Sequence, residues 1–312
     1  MTDISKKKIW VAGHKGMVGS AIVRKLLNEN CSVIKATKKE LNLLRQGDTD
    51  NWIKENKPEV IILAAAKVGG IKFNMLNKTE FLYENLMIQN NIIFSANKYN
   101  VEKLVFIGSS CIYPKNTPQP IKETSLLKGP LEETNEGYAL AKIAGLKLCK
   151  YINEEFNKSF ISVMPSNVFG INDNFDPDNS HVLGALLRKI YNAKVNGKRK
   201  IEIWGTGKPR REFLYVDDLA DAIYFLLKNY DSSLPINVGT SKDISITELA
   251  LKISEILEHE IEINYNTKMP DGTYLKRLDT RKINNLGWYA KTSLEEGIRK
   301  TLNYCIKKNI FC

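Results

Sequence analysis

KKIWVAGHKGMVGSAIVRKLLNEN, residues 7–30, joins two periodicities through a glycine turn. KKIWVAG (7–13) is a short apolar, β-prone run, and GSAIVRKLLNEN (19–30) has the apolar spacing of a helix. Between and at their edges stand Gly13, Gly16 and Gly19. In a strand–turn–helix unit the first glycine allows a tight turn, the second lets the backbone approach a pyrophosphate, and the third lets helix and strand pack closely. The helix N-terminus then offers free N–H groups to phosphate. With 19 glycines in the chain a triplet arises readily by chance. Its position between the first strand and the first helix makes a dinucleotide the better reading, with residues 13–19 (Gly13, His14, Lys15, Gly16, Met17, Val18, Gly19) as the cradle.

The alternation continues outward from this unit. SVIKAT (32–37), EVIILAAA (59–66, after Pro58), KLVFIGS (103–109) and FISVMPSN (160–167) read as strands. Residues 78–98 and YALAKIAGLKLCKYINEEF (138–156) read as helices. Continuous Val/Ile/Leu runs separated by helices predict a parallel sheet covered on both faces. The fold class is α/β: a doubly wound parallel Rossmann sheet with a smaller C-terminal α/β substrate domain. We place the first domain at 1–170, with a return to it within about 214–240 through INVG (236–239), and the second mainly at 171–312, opening on the loop INDNFDPDNS (171–180). Ligands of such sheets bind at the carboxyl ends of the strands, so strand-end motifs carry the functional reading.

Composition narrows the classes. The chain has 312 residues, 43% hydrophobic and 26% charged, which suits a globular protein with a sizeable core. No apolar run approaches the roughly 20 residues that span a bilayer, and the start lacks a secretory signal. Five scattered cysteines (31, 111, 149, 305, 312) without a C-x-x-C pair suit a reducing compartment and neither a disulfide frame nor a zinc site. A cytoplasmic location with no metal, membrane or nucleic-acid partner is expected. The net charge of +11 comes from lysines spread along the chain, so it reads as a solvated surface with an anionic nucleotide as a second contribution.

The second strand runs out as KATKKE, with Lys38 and Lys39 and no acid before Glu40. Together with Lys15 this favours a 2′-phosphate, hence NADPH/NADP, over NAD. A reductase using it needs a proton donor. Tyr-x-x-x-Lys occurs four times, but only Tyr138/Lys142 opens a helix after the loop that follows the fourth strand. On a helix the two share a face, so the ammonium is expected to lower the phenol pKa.

GSSCIYP (108–114) ends that fourth strand with two hydroxyls and a thiol. GHKGMVGSAI, AAAKVGGI, GSSCIYP, NEGYALAKIAG, NSHV and WGTGKPRREFL, in this order, make the chain resemble the GDP-L-fucose synthase family. These are GDP-4-keto-6-deoxymannose 3,5-epimerase/4-reductases of the extended short-chain dehydrogenase/reductase superfamily. The resemblance implies a reductase set of Ser109, Tyr138 and Lys142 and an epimerisation pair of Cys111 and His181. It also implies cofactor contacts at Lys38 and Ala64, GDP-sugar contacts at Asn167, Arg188, Trp204, Arg211 and Lys276, and a homodimer through the Tyr138 helix and its neighbour. Asp271 shapes its loop or touches the nucleotide. The chemistry is readable directly: a C4 ketone acidifies the hydrogens at C3 and C5, and inverting those carbons takes a base on one face and an acid on the other. A thiol and an imidazole suit that work.

Three departures stand out: Gly137 where the family typically has proline, Phe169 where tyrosine is common, and Ala36 where an arginine often grips the 2′-phosphate. The first two are expected beside the sugar pocket. They keep open a GDP-4-keto-heptose substrate and reduction without epimerisation; a non-catalytic dinucleotide-binding module is a third reading, which intact Ser109, Tyr138 and Lys142 oppose.

Overall fold

The computed structural model describes residues 4, 6–176 and 179–311. Pro177 and Asp178 of the expected loop, and Cys312 of the cysteine count, lie outside the described residues. The elements run β1 (Lys8–Ala12), α1 (Met17–Asn28), β2 (Ser32–Ile34), α2 (Gln46–Asn56), β3 (Val60–Leu63), α3 (Ile71–Leu76), α4 (Lys78–Lys98), β4 (Lys103–Ile107), α5 (Glu136–Phe156), β5 (Ser159–Pro165) and β6 (Asn167–Phe169). They continue through α6 (Val182–Val195), β7 (Lys200–Trp204), β8 (Arg210–Tyr215), α7 (Val216–Asn229), β9 (Ile236–Val238), β10 (Asp243–Ser245), α8 (Ile246–Ile256), β11 (Glu262–Asn266), β12 (Leu275–Lys276), α9 (Arg281–Asn285) and α10 (Leu294–Lys307).

The main sheet has the order β2-β1-β3-β4-β5-β9, with every pair parallel. Its central strands bury every residue, because helices cover both faces. One face carries α1 and α7 over Val11, Ile62, Val105 and Ile161; the other carries α2, α4 and α5 over Trp10, Ile61, Leu104 and Phe106. Lys103, buried at the start of β4, is tolerated there because its ammonium donates to the Tyr230 carbonyl (2.8 Å) and to Asp231 (2.6 Å). β1 lies between β2 and β3, so the chain winds away from it in both directions, and the crevice at that switch point opens above the carboxyl ends of β1 and β3.

A second set of elements packs α6, α8 and α10 around β7 and β8 through Phe213, Leu187, Ile253 and Ile298. Within it β8 pairs with β6, β10 and β12, and β7 pairs with β11. The chain passes between the two bodies more than once: β9 pairs with β5 of the main sheet, and Ile283 and Trp288 pack into the α1/α7 core. No helix among the described residues is long and apolar enough to cross a membrane.

Candidate active site

The glycine turn is built as tightly as its spacing predicts. Gly13 has φ +87°, and a Cβ there would lie 2.6 Å from the Ala65 nitrogen. A Cβ on Gly19 would lie 2.1 Å from the Gly13 carbonyl oxygen, so both positions exclude a side chain for internal reasons. Gly16 is different: it N-caps α1, no side chain caps that helix, and a Cβ would meet only the Gly13 oxygen at 3.5 Å. The chain itself leaves room at Gly16, which fits a bound pyrophosphate. His14 supplies a second sign, a buried Nδ1 with no hydrogen-bond partner among the described residues. Burial, then the charges of Lys35 and Lys15, push its pKa below the usual histidine value, against Glu40. Lys35 thus stands beside the loop, although the sequence reading passed over it. Lys38 is exposed on the turn that follows β2, and Glu40 is folded back to accept from the Thr37 amide (2.7 Å). Ala36 is half-buried against the core.

At the end of β4, Gly108 releases the chain and Ser109 caps a single 3-10 turn by accepting from the Cys111 amide (3.2 Å). Ile112 and Tyr113 then plunge into the core, and the Tyr113 hydroxyl donates to Asn237 (2.6 Å). The apolar half of GSSCIYP therefore anchors the polar half at the strand end. Tyr138, in the first turn of α5, stands beside Ser109, and Lys142 lies one turn on, 3% exposed, donating to the Ile107 carbonyl (2.8 Å). The expected sign of the Tyr138 shift is reversed. Burial pushes this phenol above its usual pKa, the charge of Cys111 adds to the rise, and the Ser109 bond opposes it. Lys142 does not counter this, because burial pushes its own pKa down to about 7.

Cys111 is half-buried, and its sulfur accepts from Asn135 Nδ2 (3.3 Å) and Lys276 Nζ (3.7 Å). Asn135 opens the quoted stretch NEGYALAKIAG, but the sequence reading gave it no role. His181 N-caps α6 through its backbone. Its ring meets solvent, yet the surrounding protein removes enough water to hold its pKa below the usual histidine value.

The GDP-sugar candidates divide. Lys276 reaches Cys111, and the charge of Cys111 also acts on Arg211, together with Glu132 and Asp271. Arg211 is half-buried and donates to the carbonyls of Arg210 (2.9 Å) and Thr273 (2.5 Å). Asn167 donates to the Glu212 carbonyl (2.8 Å), and Arg188 to the Phe175 carbonyl (2.9 Å). Trp204 is 41% exposed at the end of β7, and Asp271 holds Thr206. Arg188 and Trp204 share no hydrogen bond with the Cys111 group among the described residues.

Phe169 is not beside the pocket as expected. It is 1% exposed, packs on Phe213 and Tyr215, and sits under Gly297, where a Cβ would lie 2.7 Å from its ring. It is core, filling the space Gly297 leaves. Gly137 does adjoin Tyr138, and a Cβ there would lie 2.8 Å from the Lys78 carbonyl oxygen, so it lets α5 press against α4.

A glycine turn at the switch point and a Ser/Tyr/Lys set at a later strand end define the class: Rossmann-type, dinucleotide-dependent enzymes of the short-chain dehydrogenase/reductase kind. The family described as the NAD dependent epimerase/dehydratase family matches residues 9–239. A GDP-L-fucose synthase of Sinorhizobium fredii is 48% identical over 295 residues, 95% of this chain and 94% of that protein. GDP-L-fucose synthase 1 of Arabidopsis thaliana is 48% identical over 308 residues, covering 98% and 95%. Among solved structures, MlghC, a GDP-mannoheptose C4 reductase from Campylobacter jejuni with NADP bound, superposes with a TM-score of 0.88 at 37% identity, covering 98% of this chain and 99% of that one. The chain belongs to the NAD dependent epimerase/dehydratase family and, within it, to the GDP-L-fucose synthase branch.

Proposed function

We propose that this protein catalyses NADPH-dependent reduction of a GDP-4-keto-sugar at C4, preceded by inversion at C3 and C5. The observation that carries the reading is the gathering of two chemistries at one strand end. Ser109, Tyr138 and Lys142 can protonate a ketone oxygen, while Cys111, with two donors on its sulfur, can move a proton at the adjacent carbon. Residues 13–19, with Lys15, Lys35 and Ala64, would hold the dinucleotide, which supplies a hydride when bound. Tyr138 gives its proton to the C4 oxygen while Ser109 hydrogen-bonds that oxygen. Lys142 fixes the end of β4 against α5 through the Ile107 carbonyl. At C3 and C5, Cys111 and His181 exchange a proton with carbon from opposite faces, the ketone holding the electron pair as an enolate. Arg211, with carbonyls as its only described hydrogen-bond partners, has charge to spare for a diphosphate.

A second reading is reduction alone on a GDP-4-keto-heptose, which the likeness to the heptose C4 reductase favours. One reaction separates the two: the protein, GDP-4-keto-6-deoxymannose and NADPH in D₂O, with the product read by mass spectrometry and NMR. We expect deuterium at C3 and C5 with inverted configuration. Hydride transfer without that deuterium would replace the first reading by the second, and an absence of NADPH oxidation on hexose and heptose substrates alike would sink both. Homodimerisation through α4 and α5 belongs to the same proposal, supported by Phe94, Leu140 and Tyr151, apolar residues exposed on these helices.

A further inference from the structure

The Cys111 sulfur is surrounded as an acceptor, not as a thiol donor. Cys31 shows the ordinary arrangement, its S–H directed at the Glu29 carbonyl (3.8 Å). At Cys111 the geometry is inverted, because both described hydrogen-bond partners of the sulfur, the Asn135 amide and the Lys276 ammonium, are donors. An amide N–H and an ammonium aimed at one sulfur favour negative charge on it.

Lys276 is built for this contact. It belongs to the two-residue strand β12, in register with Arg211 of β8. The backbone on both sides is fastened: the Leu278 amide donates to the buried Glu212 carboxylate (2.7 Å), the Arg277 amide donates to Gln119 (3.0 Å), and the Gln119 amide donates to the Leu275 carbonyl (2.9 Å). Lys276 joins no ion pair among the described residues, and its hydrogen-bond partner there is the sulfur. The other charged or titratable groups that act on this locus are Tyr138 and Arg211, and beyond Arg211 the carboxylates of Glu132 and Asp271.

We infer that Lys276 is a positioning residue of the epimerisation, the cation that favours negative charge on the Cys111 sulfur, and not only a contact to the nucleotide sugar. The inference rests on the epimerase reading above. In the step it serves, the thiolate takes a proton from the carbon beside the ketone: the C–H bond breaks, its electron pair enters the enolate, an S–H bond forms, and Lys276 keeps its three protons throughout.

The test needs no substrate. The intact protein is treated with iodoacetamide at pH 7, and alkylation of each cysteine is timed by peptide mass spectrometry in wild type, Lys276→Met and Lys276→Arg. Removing one charge at contact distance should slow Cys111 labelling by at least about tenfold. Lys276→Arg should restore it to within about threefold, since a guanidinium keeps the charge. Buried Cys149 and Cys305 act as the folding control and should stay unlabelled in all three. Equal Cys111 rates in wild type and Lys276→Met, whether fast or slow, would overturn the inference; so would labelling of Cys149 and Cys305 in wild type, Lys276→Met and Lys276→Arg alike with no separate change at Cys111. If labelling depends on Lys276 but wild type incorporates no deuterium at C3 and C5, the epimerase reading fails while the ion contact stands.

Discussion

Lys142 is an ammonium held in a nearly dry place, and its cost to the free protein can be measured. Its folded pKa is about 7, against 10.5 for a free lysine. Between those values the unfolded chain keeps a proton that the folded chain has released, so the unfolded state binds more protons and stability rises with pH. Below about pH 7 the full burden of the buried charge remains. Thermal melts of the cofactor-free protein should therefore show wild type gaining on Lys142→Met as the pH goes from 7 to 10. Parallel melting curves would show that the amine stays charged, held by the Ile107 carbonyl. Tyr138→Phe tests the other half of the pair. It removes the proton donor and keeps the ring that packs edge-on to Phe81, so NADPH oxidation should fall by at least about 10² without a matching loss of melting temperature. At this scale Ser109, Tyr138 and Lys142 were readable because spacing on a helix and position at a strand end constrain them. The Lys276–Cys111 contact was not, since it joins residues 165 apart and depends on how β12 docks on β8. The inward packing of Phe169 was not readable either, because it depends on Gly297 of α10, a residue far off in the sequence.

Among the elements, the loop between β3 and α3 does more than connect. Asn85 of α4 pairs with both backbone groups of Lys67, accepting from its N–H (2.9 Å) and donating to its carbonyl (3.0 Å). Asn74 donates to the carbonyls of Gly69 (2.7 Å) and Gly70 (3.1 Å). The fastened loop reaches in two directions. At one end Ala65 fills the space beside Gly13; at the other the Gly70 amide donates to the Asn179 carbonyl (3.0 Å), and a Cβ on Gly70 would lie 2.5 Å from the Ser180 oxygen. His181 follows at once, and with no described hydrogen bond to its ring it takes its place from this backbone. Gly70→Ala must therefore push the segment that carries His181 while leaving Ser109, Tyr138 and Lys142 untouched. Deuterium incorporation at C3 and C5 should drop by roughly 10², with oxidation of GDP-L-fucose by NADP in the reverse direction far less affected. Equal losses in both assays would mean that the loop serves the whole fold and has no special hold on His181. Element boundaries followed the strength of the sequence pattern. α4 spans the expected 78–98, whereas α2 went unread because it buries only Thr49 and Ile53, too thin a stripe to announce a helix.

For the molecule as a whole, the parallel sheet was legible because its central strands are buried on both faces and so read as unbroken apolar runs. The second body was legible only as a loosening of that pattern. Several of its strands are half-exposed, such as EINYN in β11, and its core draws on α6, β7, β8, α8 and α10 together with Phe169, Phe175 and Phe311. What the sequence could least disclose is the outer surface. α4 and α5 lie side by side over the main sheet, and their outward positions leave Phe94 54%, Tyr151 48% and Leu140 44% exposed. An apolar patch on two adjacent helices of a charged protein calls for a cover, and a second copy presenting the same two helices provides one through a closed two-fold contact. The patch lies on the flank of α5, the helix whose first turn carries Tyr138, so pairing would also brace the catalytic helix. Light scattering on wild type should give twice the mass of one chain. Phe94→Glu combined with Tyr151→Glu should bring it to a single chain by placing four like charges in the paired surface. The single chain should melt lower and keep NADPH oxidation reduced but measurable. A wild type that runs as one chain at every concentration would refute the pairing, and an unchanged mass in the double variant would move the interface to another face.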